Sequence, residues 1–74
     1  ISMSRAKEIA LEDAGIPVGS RVVFTVEKLV DGGIKTPYYL FVFNDDETRW
    51  TYRIDATRGE IQFSEKEKLN KAGL

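Results

Sequence analysis

The chain has no cysteine and no histidine among its 74 residues, and only two prolines and one methionine. Without cysteine there is no disulfide staple, no thiolate nucleophile and no sulfur ligand for zinc. Without histidine the commonest general base and the commonest metal ligand are missing as well. The two absences remove most mechanisms open to a small enzyme. An excess of charge of one sign is also lacking. The 11 basic and 12 acidic residues are spread along the chain and leave a formal charge of -1, so no basic stripe exists to attract a phosphate backbone, which speaks against nucleic acid as a partner. No apolar run approaches the roughly 20 residues needed to span a bilayer, and no signal-peptide core precedes the first helix. The segment is therefore read either as cytoplasmic or as a piece of a longer secreted or membrane-bound chain, with any membrane attachment made by other parts of that chain. At this length it holds one domain with a small core.

What is present is alternation. In "IDATRGEI", Ile54 and Ile61 flank a run in which Asp55 and Thr57 can bond the local backbone and Gly59 can take positive φ, which predicts a hairpin. Upstream, Trp50, Tyr52 and Ile54 alternate with Thr51, Arg53 and Asp55; downstream, Ile61 and Phe63 alternate with Gln62 and Ser64. Two more strands precede them. One carries Val22, Phe24 and Val26 on one side, with a bulge expected near Glu27 and Lys28; the other runs through the aromatic-rich segment from Tyr38 to Phe43. Asp31-Gly32-Gly33 and Asn44-Asp45-Asp46-Glu47 supply the turns.

Before the strands, Ser4 is the expected N-cap of a helix whose apolar stripe is Ala6, Ile9, Ala10 and Ala14, stopped by Gly15 and Pro17. Small side chains let a helix lie close on a sheet, so the bulk of the core is expected from Tyr39, Phe41, Phe43, Trp50, Tyr52 and Ile54, with Ile61 facing the same side as Ile54. The pattern predicts an α+β domain, one helix on a four-stranded antiparallel meander, over residues 1–64. Residues 65–74 read as a charged tail, either a linker or a short C-terminal helix opened by the capping-box pattern from Ser64 to Glu67.

Three local patterns suggest chemistry and do not sustain it. Ser4-Arg5-Ala6-Lys7 matches the Ser-x-x-Lys of penicillin-recognising enzymes, but the further motifs are missing and Lys35-Thr36 is followed by proline where glycine is needed. Asn44 to Glu47 lacks the ligand offsets of a calcium loop. Asp55 and Glu60 flank a turn and not a sugar-sized cleft. No catalytic, metal-binding or cofactor-binding residue is assigned, and no cofactor is implied.

The order and the residues together resemble the PepSY domain, a small module of metallopeptidase propeptides and bacterial envelope proteins. "AKEIALEDAG" looks like its opening helix, "PYYLFVF" follows its Pro-x-Tyr-x-apolar-x-Phe strand, and "WTYRIDATRGEI" is similar to its closing signature. The resemblance implies a cystatin-like shape, a helix on a curved antiparallel sheet, and a non-enzymatic role in inhibiting or regulating a secreted or envelope peptidase. The alternative it allows is a structural spacer or sensor domain of a larger membrane-anchored or secreted protein, packed on a tandem or neighbouring domain. Either role implies a location outside the cytoplasm.

Tyr38, Leu40 and Val42 depart from the family pattern. They alternate with the core set and must point to the other face, where the family usually carries charged or polar residues. The expectation is an apolar patch on the order of a few hundred Å², a size that marks a contact. Tyr38, Leu40 and Val42 are therefore the predicted partner-binding residues, for a peptidase, a tandem domain or a second copy in a homodimer.

Overall fold

A computed structural model describes residues 1–17, 19–33 and 35–69. Helix α1 spans Met3–Asp13 and is followed by β1 (Val23–Val30), β2 (Tyr38–Asn44), β3 (Thr48–Asp55) and β4 (Ile61–Lys68). The four strands form one antiparallel sheet in the order β1-β2-β3-β4. The α+β reading and the meander are both present.

The helix begins two residues earlier than predicted. Ser2, not Ser4, is the N-cap, extended at φ -75° and ψ 159°, and its hydroxyl accepts a hydrogen bond from the Arg5 amide. At the other end Gly15 takes a φ of +74°, which stops the helix without strain. Ala6 and Ala10 are fully buried, and Ile9 and Ala14 pack beside them. With only methyl groups between, α1 lies directly over β2 and β3.

Beneath it Tyr39, Phe41, Phe43, Trp50, Tyr52 and Ile54 are all buried. Phe43 is the centre of the aromatic set, stacked on Phe24, Trp50 and Tyr52 at centroid distances of 4.8, 5.5 and 5.8 Å. Ile61 pairs with Ile54 across the β3–β4 ladder and so shares its face, yet it stays 38% exposed. β4 is an edge strand outside the span of the helix, and Ile61 only borders a shallow depression beside Ile9. Ile61 thus faces the expected side without joining the core.

Two bulges change which side chains face outward. In β1 the register shifts between Phe24 and Val26, so Thr25 is the extra residue and its hydroxyl donates to the Val42 carbonyl at 3.2 Å. The bulge thus falls before Val26 and not near Glu27 and Lys28, and Val26 turns to the face away from the helix. In β4, Arg53 pairs with Phe63 while the next residue of β3, Ile54, pairs with Ile61, leaving Gln62 as the extra residue. Ile61 and Phe63, expected on one side, therefore lie on opposite faces.

The segment read as a charged tail from residue 65 begins as strand. Glu65, Lys66, Glu67 and Lys68 pair with Thr51, Trp50, Arg49 and Thr48. Their alternating charges suit an edge strand open to water on both faces, and the ladder hydrogen bonds outweigh the local capping-box preference for a helix. The Leu69 amide closes the strand on the Glu47 carbonyl at 2.7 Å. The short helix expected to open at Ser64 is therefore strand through Lys68, and its remainder, residues 70–74, lies outside the described residues.

Candidate functional site

The helix covers one face of the sheet, and among the described residues no layer covers the other. Strand pairing assigns that outer face residue by residue. Val42, Leu40 and Tyr38 of β2 stand between Val26, Lys28 and Val30 of β1 and Thr51, Arg53 and Asp55 of β3. The bulge at Thr25 brings Val26 and Val30 beside the row, with Val23 further along the same face opposite Asn44, and makes the surface more apolar. Tyr38, Leu40 and Val42 are each half-buried, screened at the sides by these cross-strand partners and uncovered from above. Phe63 joins the face from β4 and is 41% exposed. Sequence alternation missed Val26, Val30 and Phe63 because a strict period of two carries an apolar residue to the wrong side of every bulge. The broken parity after Val26 was the available signal for the first bulge; no residue type marked the second.

Charge on this face is concentrated at its β3 side. The Arg53 guanidinium lies over the Tyr38 ring at 5.5 Å and the Phe63 ring at 5.3 Å. Further along, Arg49 pairs with Glu67 across the ladder. An open groove at the turn end of the face is lined by Val30, Asp31, Lys35, Thr36, Tyr38, Arg53 and Gln62, among others.

The hairpin between β3 and β4 is built as its residues predicted. The Asp55 carboxylate accepts from the Thr57 and Arg58 amides at 2.7 and 2.9 Å, and the Gly59 amide donates to the Asp55 carbonyl at 2.8 Å. The backbone bond from Arg58, then that from Thr57, holds the Asp55 carboxyl below the usual aspartate range. On the helix side the Tyr52 hydroxyl donates to Asp13 at 2.8 Å, tying α1 to β3. Burial, reinforced by that bond to a carboxylate, pushes the Tyr52 phenol well above the ordinary tyrosine value.

The patterns set aside in the sequence do not converge in space. Lys7 points away from Ser4, pairing with Glu27 at 2.8 Å and lying over the Phe24 ring. Asp45 uses its carboxylate to accept from the Glu47 and Thr48 amides, turning the β2–β3 connection. Glu60 lies 3.7 Å from Arg58 at the surface. Among the described residues no group of three or more acidic side chains is placed to hold a metal ion, and no helix is long and apolar enough to cross a membrane.

A profile of the family described as peptidase propeptide and YPEB domain, PepSY, matches residues 1–65. The chain belongs to the PepSY family. Its match spans α1 through the first half of β4, so the whole helix-on-sheet unit is the PepSY domain. No curated protein and no solved structure matches the chain. PepSY is a propeptide and inhibitor type of domain and not a catalytic family, which makes this a propeptide-like, peptidase-related module. The outer face, Tyr38, Leu40 and Val42 included, is a feature of this chain's own residues.

Proposed function

We propose that this PepSY domain is a non-catalytic regulatory module that docks on a peptidase of the secreted or envelope kind and restrains it, working outside the cytoplasm in a larger parent chain. The observation that carries the reading is the outer face. Tyr38, Leu40 and Val42 form the middle row of a sheet surface that has no second layer among the described residues, and bulges in both edge strands bring Val26 and Phe63 onto the same surface. A domain of this size gains stability by keeping such residues on the helix side, so an apolar central row on the open side is better accounted for by a contact than by folding. The propeptide character of the family points to a peptidase as the occupant.

The test is a titration of the purified chain against secreted metallopeptidases, wild type beside Leu40→Lys. Saturable inhibition is expected from the wild type, with the half-inhibiting concentration raised at least ~10-fold in the variant, as for a residue near the centre of an interface. Equal inhibition by both proteins would remove the face from the account. No inhibition by the wild type at any concentration would remove the peptidase. Light scattering on the same samples separates a third outcome, a concentration-dependent dimer abolished by the lysine, in which the face packs on a second copy.

A further inference from the structure

Among the described strand cations Arg53 is distinguished by its two ring contacts and not by lacking an acid, since Lys28, Lys66 and Lys68 have no ion pair either. Arg49 is paired with Glu67, Lys7 with Glu27 and Arg58 with Glu60. Arg53 has no ion pair and no hydrogen bond among the described residues. Its recorded contacts are the two ring faces of Tyr38 and Phe63. A guanidinium lying over two rings is restrained by them, while its N–H donors make no hydrogen bond among the described residues and are open to a ligand. Such an arrangement is suited to a carboxylate, which the planar fork can hold through two parallel bonds.

Two carboxylates lie at the groove, Asp31 in its lining and Asp55 beside it, and neither is paired with Arg53. Asp55 accepts from the Thr57 and Arg58 amides, and Asp31 accepts from the Gly33 amide at 3.1 Å. Lys35 and Gln62 add donors to the groove lining, beside the apolar wall of Val30. Leu40 is the direct cross-strand partner of Arg53, so the apolar row adjoins the charge. The second bulge is what brings the second ring to Arg53, because without the extra residue Gln62 the Phe63 ring would lie on the helix side.

We propose that Arg53, lying over the Tyr38 and Phe63 rings, is a recognition site for an acidic side chain, aspartate or glutamate, carried by the partner next to apolar residues. The apolar neighbours would seat on Tyr38, Leu40 and Val42 while the carboxylate meets the Arg53 fork. The inference rests on the docking reading above and names the chemistry of the docking partner.

Its test needs no peptidase. The capped peptide acetyl-Val-Glu-Val-amide is titrated into the 15N-labelled chain, with acetyl-Val-Gln-Val-amide as the neutral match and acetyl-Val-Gln-Val with a free C-terminus as the third arm. The Arg53 Nε–H resonance reports binding. The glutamate peptide is expected to shift that resonance and to bind at least ~10-fold more tightly than the glutamine peptide, a preference lost in Arg53→Gln and partly kept in Arg53→Lys. Equal shifts from the first two peptides, no shift at millimolar concentration, or a response only to the free terminus would each overturn the proposal. Because Arg53 is exposed, the amide spectrum of Arg53→Gln is expected to overlay that of the wild type away from the site. Inhibition of a peptidase by the wild type that Leu40→Lys weakens, together with equal binding of the two capped peptides, would remove this site and leave the docking reading standing; a glutamate preference without inhibition of any peptidase would do the reverse.

Discussion

Gly59 is the residue at which backbone and packing demands coincide. Its φ is +76°, and a Cβ added there would sit 3.1 Å from the Ile1 side chain and 3.2 Å from that of Ile9. Gly19 has a φ of +90° with nothing within 4 Å of the added atom. Gly19→Ala should cost only the left-handed backbone term, about 1–2 kcal/mol, whereas Gly59→Ala should cost roughly 2–3 kcal/mol because a packed methyl must also move. Urea unfolding of the two variants measures the difference, and equal losses would show that the contact with Ile1 and Ile9 contributes nothing. Four residues away, Asp55 sets a pH dependence. Its carboxyl is held below the usual range by backbone amides, so its stabilising contribution is present above the unfolded-state value near 4 and is lost as pH falls through the folded-state value. Asp55→Asn should be less stable than wild type at pH 7 and should show a shallower decline between pH 5 and pH 2, read from urea midpoints at each pH.

At the scale of elements, β4 is the strand on which sequence and structure part. Its second half carries Glu65, Lys66, Glu67 and Lys68, a composition that reads as solvated tail, yet all four pair with β3. Ending the chain at Ser64 should therefore lower stability by on the order of 2 kcal/mol, since several ladder hydrogen bonds are lost and the β3 edge is opened. A tail would be removed at no cost, and an unchanged thermal midpoint would contradict the pairing. The helix and the strands facing it were legible because their signals are periodic and mutually consistent: Ala6, Ile9 and Ala10 at three- and four-residue spacing in α1, large apolar residues every second residue in β2 and β3. The outer face was legible in β2 for the same reason. It was not legible in β1 and β4, where the extra residues Thr25 and Gln62 reverse the alternation, and pairing across the sheet decides the facing of Val26 and Phe63. The Arg53 contacts were out of reach for that reason, since one of the two rings lies beyond a bulge.

As a whole, over the described residues, the molecule is two layers with one side closed and one side open. The helix, the aromatic core and the Tyr52–Asp13 bond belong to the closed side. The apolar row, its bulge-supplied neighbours and Arg53 over its two rings belong to the open one. Stability and recognition are thereby placed on opposite faces of the same strands, which lets substitutions such as Leu40→Lys act on binding with little effect on folding. The edges differ too: β4 is blunted by alternating charge, while β1 exposes Val23 and Leu29. The most direct measurement is methyl NMR of the labelled domain bound to a peptidase that it inhibits. The methyl signals of Leu40, Val42, Val26 and Val30 are expected to shift or broaden, with those of Ile9 and Leu11 unchanged. Perturbation confined to the Ile9 and Leu11 side, with the outer face silent, would contradict the assignment of that face to the partner.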